Sequence, residues 1–194
     1  MNENKRAAFA VCGSFCTLEA AFRQAERLRE DGWELLPVMS FAAARLDTRF
    51  GRAEEWKRRL EALTGNPVRE TLQAVEPLGP QKLADVLVIA PCTGATLARL
   101  AAGLSDTPVT LAAKSLLRVG CPVVVAISTN DGLGASGENI ARLYQRKHLY
   151  FVPYGQDDPA EKPQSLKAEL DLLPATLEAA LAGRQLQPVL RGRM

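Results

Sequence analysis

The feature that most constrains the fold is an uninterrupted apolar run over residues 86–90, followed by a small-residue turn and a segment with helical spacing. A strand without polar residues has both faces covered, which is typical of the middle of a parallel sheet. Pro91 is expected to end this strand, and Thr93 or Thr96 to cap the helix that follows. Such a helix start suits an anionic or heavily hydroxylated ligand. Strand-turn-helix units are common, so a purely structural role for this turn stays open.

Predicted strands and helices alternate along the chain, which is typical of an α/β fold with a mostly parallel sheet. The first unit is a strand over residues 7–11, the helix Leu18–Glu30 and a strand over residues 33–39. Further strands are predicted over residues 122–127 and 149–154, and helices over residues 53–63, 109–119, 139–145 and 165–182.

Length and charge limit the function classes. A chain of 194 residues fits one domain over residues 1–194, with a tail over residues 184–194 that could reach a neighbouring subunit. A net charge of +2 argues against nucleic-acid binding driven by bulk electrostatics. No apolar run approaches the roughly 20 residues that a bilayer requires, and the polar opening segment is too short for a signal peptide. We therefore expect a cytoplasmic protein that is not bound to a membrane.

The metal-ligand types are too scattered to predict a metal site. The four cysteines lack paired short spacings, and Asp157-Asp158 has no further ligands nearby. Reduced, buried thiols are the expectation, although Cys12, Cys16 and Cys92 lie in or beside the candidate ligand loops. The single histidine, His148, is assigned no role.

Small polar residues follow successive strands and are expected to form one composite pocket. Gly13 and Ser14 follow the first strand, Ser40 follows the second, and Ser128 follows the strand over residues 122–127. The carboxyl ends of parallel strands meet at one edge of the sheet, where open α/β sheets bind ligands. The first turn is not Gly-x-Gly-x-x-Gly, and no acidic residue follows the second strand. A dinucleotide is therefore disfavoured in this subunit.

A segment of mixed charge, Asp47-Thr48-Arg49-Phe50-Gly51, interrupts the regular pattern. The guanidinium of Arg49 could bind a carboxylate through two parallel hydrogen bonds, or it could be an ordinary surface arginine. Lys114 and Arg118 are weaker candidates for the same task, one helical turn apart and so able to share a face.

Seven short segments, which span nearly the whole chain, are distinctive when taken together. They are Gly13-Ser14-Phe15-Cys16-Thr17, Asp47-Thr48-Arg49-Phe50-Gly51, Glu76-Pro77-Leu78-Gly79-Pro80, Ala90-Pro91-Cys92-Thr93-Gly94, Asp106-Thr107-Pro108-Val109-Thr110, Ala126-Ile127-Ser128-Thr129-Asn130-Asp131, and Phe151-Val152-Pro153 with Gly155-Gln156-Asp157-Asp158-Pro159. Through these segments the chain resembles the B subunits of dipicolinate synthase.

That family resembles the flavin-binding superfamily of phosphopantothenoylcysteine decarboxylases and flavin prenyltransferases. The resemblance implies a Rossmann-like, flavodoxin-like three-layer sandwich with a mostly parallel sheet, and FMN as cofactor. It maps the FMN phosphate onto Gly13, Ser14 and Ser40. The turn after the third strand maps onto Pro91, Cys92, Thr93, Gly94 and Thr96. Ala95 stands where the superfamily commonly has asparagine, and the decarboxylases' Pro-x-Met-Asn-x-x-Met clamp is absent.

The resemblance implies an NAD(P)-dependent oxidation of dihydrodipicolinate, or its hydroxylated precursor, to dipicolinate in the mother cell of a sporulating bacterium. The nicotinamide cofactor would bind to a partner A subunit, and any flavin here could be redox-active, structural or vestigial. Arg49 and Lys114 are the residues that we expect to bind the small dicarboxylate substrate. The superfamily also implies a homo-oligomer, a trimer or a dodecamer. A stand-alone FMN-dependent decarboxylase or flavin prenyltransferase, and a non-catalytic scaffold for the A subunit, are the alternatives.

Overall fold

The strands of the computed structural model, which describes residues 5–192, build one continuous sheet. They are β1 Arg6–Val11, β2 Glu34–Met39, β3 Val86–Cys92, β4 Val123–Thr129, β5 Leu149–Phe151, β6 Tyr154–Asp158 and β7 Lys162–Ala168. The helices are α1 Leu18–Glu30, α2 Phe41–Arg45, α3 Ala53–Thr64, α4 Leu72–Val75, α5 Gly94–Ala102, α6 Pro108–Arg118, α7 Ala135–Tyr144 and α8 Leu173–Leu181.

Five parallel strands in the order β2-β1-β3-β4-β5 form the centre of the sheet. Every residue of β3 is buried, as an apolar strand covered on both faces must be. Helices flank the sheet, and the strand order is that of the flavodoxin-like doubly wound folds. The predicted fold class is therefore confirmed.

Several helix boundaries follow from the sequence signals that predicted them. The helix Leu18–Glu30 has the predicted bounds, and its inward residues, among them Phe22 and Leu28, are fully buried. Thr107 caps α6 by accepting a hydrogen bond from the amide of Thr110, with Pro108 at the first helical position.

The prediction that Pro91 ends the third strand was wrong. β3 continues to Cys92, and its pairing with β4 shifts register between Ile89 and Cys92. Proline lacks only the N–H group, so its carbonyl remains an acceptor, and Pro91 O receives a hydrogen bond from the amide of Cys12 at 3.2 Å. A proline is thus tolerated here because it lies at an irregularity of the ladder.

Two predictions for the last third of the chain were also wrong. The predicted strand over residues 149–154 is divided into β5 and the antiparallel β6, and the predicted helix over residues 165–182 begins with the end of β7. Only Leu173–Leu181 is α-helical there. The reason is tertiary pairing: β7 pairs antiparallel with the end of β4, where Ser128 lies opposite Lys167.

The described part of the expected tail, residues 184–192, packs on its own chain. The side chain of Gln185 accepts a hydrogen bond from the amide of Phe151 at 2.8 Å and donates one to its carbonyl at 2.7 Å. Leu190 forms a parallel bridge with Tyr154 at the outer side of β6. Residues 193–194 lie outside the described residues.

The packing around Gly79 yields a test of the fold. A methyl group added at Gly79 would lie 2.0 Å from the carbonyl oxygen of Ser115 in α6. The two nearest atoms belong to the backbone of α6, so they cannot rotate away. We expect Gly79→Ala to lower the free energy of unfolding by about 3 kcal/mol, the upper end of ordinary overpacking costs.

Urea denaturation measures this effect, with Gly192→Ala as the control, since an added methyl there meets no atom within 4 Å. Equal unfolding midpoints for the two variants would contradict the close packing of Gly79 against α6.

Candidate functional site

A cleft of about 600 Å³ opens at the carboxyl edge of the parallel sheet. The loops after β1, β3 and β4 form its floor, the turn before α3 forms one side, and the β6-β7 hairpin forms another. Its lining comprises Gly13, Ser14, Phe15, Cys16, Thr17, Arg49, Phe50, Thr93, Gly94, Ser128, Thr129, Asn130, Asp157, Lys162, Ser165, Leu166 and Lys167. The volume lies within the ordinary range for a small-molecule site.

Three hydroxyl groups form a hydrogen-bonded cluster on the cleft floor. The Ser128 hydroxyl lies 2.8 Å from the Ser14 hydroxyl and 2.8 Å from the Thr17 hydroxyl, and the Ser14 and Thr17 oxygens are 3.4 Å apart. Hydroxyl protons rotate, so the cluster can redirect a donor toward an anionic ligand. It joins the end of β1 to the end of β4, two strands on either side of β3.

The turn between β3 and α5 divides its predicted residues between the cleft and the core. Thr93 lines the cleft and caps α5 by accepting from the amide of Thr96 at 3.4 Å. Thr96 points inward, where its hydroxyl donates to the sulfur of Cys12 at 3.4 Å. Pro91 and Cys92 are buried β3 residues outside the cleft lining. Of this predicted group, the structure brings Thr93 and Gly94 to the cleft surface.

Gly94 is required by its neighbours at the end of β4 and the start of α7. A methyl group there would lie 2.6 Å from Ser136 Oγ and 2.8 Å from Thr129 Oγ1. Those two hydroxyls donate to the carboxylate of Asp131, and these hydrogen bonds hold its pKa below the usual range. The absence of a side chain at Gly94 thus lets the loops after β3 and β4 lie against each other.

Burial makes two of the cysteines beside the cleft loops, Cys12 and Cys92, unreactive near neutral pH. It raises the pKa of the Cys12 thiol to about 11 and raises that of Cys92 well above its ordinary value. Both therefore remain neutral thiols. Cys16 is exposed and lines the cleft.

Gly13 and Ser40 lie on the β2 side of the cleft, next to α2. A methyl group at Gly13 would lie 3.2 Å from the Cβ atom of Ala42. Ser40 is nearly buried, caps α2 by accepting from the amide of Ala43 at 3.2 Å, and lies outside the cleft lining. Within residues 5–192 its hydroxyl donates no hydrogen bond.

The segment Asp47-Thr48-Arg49-Phe50-Gly51 folds into a tight turn. The amide of Thr48 donates to Gly51 O at 3.0 Å, and the amide of Gly51 donates to Thr48 O at 3.1 Å. Arg49 and Phe50 form the tip, with the guanidinium 4.9 Å from the ring centroid. The turn therefore presents Arg49 to the cleft, and within the described chain its guanidinium has no carboxylate partner.

Sequence reasoning missed the role of three charged residues that the β6-β7 hairpin contributes to the cleft lining. The carboxylate of Asp157 lies 3.2 Å from the ammonium of Lys162 and 3.6 Å from that of Lys167. The hydrogen bond to Asp157 raises the pKa of Lys162. The signal that could have found them is the lysine near each end of residues 162–168, which a reading of this segment as loop and helix conceals.

Lys114 lies elsewhere. It projects from α6 beside a separate cavity of about 390 Å³ between α5, α6 and α7, together with Arg118. Its ammonium donates to Ser105 Oγ at 3.4 Å. The structure therefore does not bring Lys114 to the cleft that contains Arg49.

Residues 5–192 contain neither a metal-ligand cluster nor a membrane-spanning helix. No group of three or more His, Cys, Asp or Glu side chains in this range could hold a metal ion. None of its helices combines the length and hydropathy needed to cross a bilayer.

The fold and the cleft are those of an open α/β protein that binds a ligand at the carboxyl ends of its strands. Comparisons with known proteins agree with this class. The model of the flavoprotein family matches residues 1–159, and the chain belongs to this family. It is 47% identical over 188 residues to the dipicolinate synthase B subunit of Bacillus subtilis, covering 97% of this chain and 94% of that protein. The resemblance noted from the seven segments is confirmed.

Solved structures share this fold. The crystal structure of the dipicolinate synthase B subunit from Bacillus halodurans has a TM-score of 0.90 and 44% identity, covering 100% of both chains. The FMN-dependent cysteine decarboxylase SpaF has a TM-score of 0.67 and 25% identity, covering 92% of this chain and 97% of that one.

Proposed function

We propose that this chain is the B subunit of a dipicolinate synthase, acting with an A subunit in the NAD(P)-dependent oxidation of dihydrodipicolinate, or its hydroxylated precursor, during sporulation. The observation that carries the proposal is the turn that presents Arg49, without a carboxylate partner in the described chain, to the cleft. This turn is one of the seven segments that carry the resemblance to the dipicolinate synthase B subunits. A guanidinium in that position matches a substrate carboxylate.

The reaction is a two-electron oxidation. The dihydropyridine ring loses a hydride to NAD(P)⁺ and a proton to solvent or a base, which gives the aromatic dicarboxylate and NAD(P)H. The resemblance assigns the nicotinamide site to the A subunit, and the lack of a Gly-x-Gly-x-x-Gly fingerprint in this sequence agrees with that assignment. The role of this chain is to bind and orient the dianionic ring. In the cleft an unpaired charge of the ring would be costly to desolvate, so each carboxylate needs a cationic partner.

The cleft fits a flavin in chemistry and size. The hydroxyl cluster of Ser14, Thr17 and Ser128 and the hydroxyl of Thr93 offer donors on a floor with room for a planar ligand. In the proposal Gly13, Ser14 and Ser40 hold the phosphate of FMN, and Thr93 and Gly94 lie along the rest of the cofactor. Bound FMN would supply two-electron redox chemistry at this site.

The proposal includes a homo-oligomer, a trimer or a dodecamer. Three exposed apolar side chains, Leu133, Tyr144 and Leu190, surround a second cavity of about 950 Å³ between α7, the β6-β7 hairpin and residues 190–192. Apolar surface of this kind is typical of contacts between subunits.

The oligomer is tested by light scattering of the purified protein at micromolar concentration. We expect the mass of a trimer or a multiple of it, because the exposed apolar groove would be covered by another copy. A monomeric mass would contradict this part of the proposal.

The cofactor assignment predicts that Thr93→Val weakens FMN binding. Loss of a hydrogen bond to a buried ligand costs about 1 to 3 kcal/mol, which corresponds to an increase of about five- to 150-fold in the dissociation constant. Fluorescence titration of FMN measures it. Thr107→Val is the matched control, since Thr107 caps α6 in the same manner but does not line the cleft. Equal constants for wild type and Thr93→Val would place the flavin elsewhere.

The substrate assignment predicts that Arg49→Lys lowers kcat/KM for dipicolinate formation by about tenfold or more when assayed with the A subunit. The variant keeps the charge but loses the bidentate geometry, and tenfold corresponds to roughly 1.4 kcal/mol of transition-state stabilisation. Arg45→Lys is the control, because Arg45 also lies over a phenylalanine ring, at 4.7 Å from that of Phe41, but outside the cleft. Unchanged kcat/KM in Arg49→Lys would assign the carboxylate site to the partner.

A further inference from the structure

We infer that Lys162 and Lys167 form the second half of a dianion site, opposite Arg49, which selects ligands with two carboxylates over ligands with one. The inference rests on the proposed function and names the residues that recognise its substrate class. It assigns to the β6-β7 hairpin the role that sequence reasoning gave to Lys114.

The charge balance of the cleft is the first argument. Among the described residues that line it, Arg49, Lys162 and Lys167 are cationic and Asp157 alone is anionic, an excess of two positive charges. The whole chain carries a net charge of +2, so this excess is concentrated rather than general. A cleft with walls of low dielectric constant focuses such a field, and the complementary ligand is a dianion.

The register of β7 gives the second argument. Lys167 lies directly opposite Ser128 in the ladder between β7 and β4. Because the Ser128 hydroxyl bonds to those of Ser14 and Thr17, Lys167 lies beside the hydroxyl cluster on the cleft floor. A carboxylate bound there would receive the ammonium group of Lys167 and a hydrogen bond from the Ser128 hydroxyl, while Ser14 stays with the proposed FMN phosphate.

Asp157 positions the two lysines without neutralising them. Its carboxylate lies within 4 Å of both ammonium groups, and its side chain is only 27% exposed. Within the cleft lining, one carboxylate shared by two ammonium groups leaves one positive charge uncompensated, while Asp158, which also attracts Lys162, and Glu161 lie outside the lining. The hairpin therefore presents a charge that is held in place, whereas an isolated surface lysine would have to be ordered by the ligand at a cost in side-chain entropy.

Arg49 completes the site from the other wall. Its turn is closed by two backbone hydrogen bonds, so the tip has a defined position. The guanidinium binds one carboxylate and the lysines bind the other, so a ligand with a single carboxylate can satisfy only one wall of the cleft.

The test is isothermal titration calorimetry of the full chain at low salt, with pyridine-2,6-dicarboxylate and pyridine-2-carboxylate as probes. The double variant Lys162→Gln/Lys167→Gln should bind the dicarboxylate at least tenfold more weakly and the monocarboxylate less than about threefold more weakly. The double variant Lys114→Gln/Arg118→Gln is the control, since it removes the same net charge at the other cavity. It should retain the wild-type preference.

Three results would overturn the inference. They are equal losses in the hairpin and control variants, a wild-type protein that does not bind the dicarboxylate, and hairpin variants that lose affinity for FMN while the dicarboxylate binds unchanged. The last result would assign the lysines to a phosphate. Unfolding midpoints are compared in parallel, and they should not move because both lysine side chains are partly exposed.

The proposed function is tested separately by dipicolinate formation with the A subunit. Selective loss of dicarboxylate binding in the hairpin variants, without dipicolinate formation by the complex, would support this site and reject the reaction. Dipicolinate formation with unchanged dicarboxylate binding in the hairpin variants would reject this site and keep the reaction.

Discussion

Parallel pairing of three apolar strands, β1, β3 and β4, is the constraint on which the rest of the molecule depends. Parallel strands require crossovers, so all their carboxyl ends reach the same edge of the sheet. That arrangement explains why hydroxyls more than a hundred residues apart, those of Ser14 and Ser128, lie 2.8 Å from each other. The apolar core thus builds the polar floor of the cleft, because burial on both faces leaves ligand contacts to the strand ends.

The second determinant is the division of β4 between two partners. Residues Val123, Val124 and Val125 pair with the parallel β5, while Ser128 and Thr129 pair with the antiparallel β7. A short β5 leaves the upper part of β4 without a partner on that side, and unpaired backbone groups in a buried strand are costly. The β6-β7 hairpin satisfies them, and in doing so it carries charged residues to the cleft. The charge of the site is therefore a consequence of how the sheet completes its hydrogen bonding.

Local signals predicted the elements that local interactions decide. The helix Leu18–Glu30 has thirteen residues with one apolar face, and it ends next to Asp31-Gly32. The apolar periodicity and the helix stop signal therefore indicate the same bounds. The hairpin has no such signal, because three of the seven β7 residues are exposed at one end and its partner in β4 is distant in sequence. Pairing with β4 overrides the helical reading of residues 165–168, as tertiary context does wherever intrinsic propensity is weak. Because this pairing is long-range, sequence reasoning could not predict that Lys162 and Lys167 lie in the cleft.

The segments that carry the resemblance to the dipicolinate synthase B subunits have two different structural roles, and their contacts distinguish them. Gly79, in the Glu-Pro-Leu-Gly-Pro segment, donates a hydrogen bond from its amide to Ser115 Oγ at 3.0 Å. The packing there leaves no room for a methyl group. The role of Gly79 is to let that loop pack on α6. Thr107 and Pro108 also have a structural role, because they cap and begin α6. The Arg49 turn differs, since its fold is fixed by Thr48 and Gly51 and its tip residues contribute to no buried core. A segment whose frame is rigid while its tip faces a cleft is one that packing alone does not explain, and this is why the proposed carboxylate site includes Arg49.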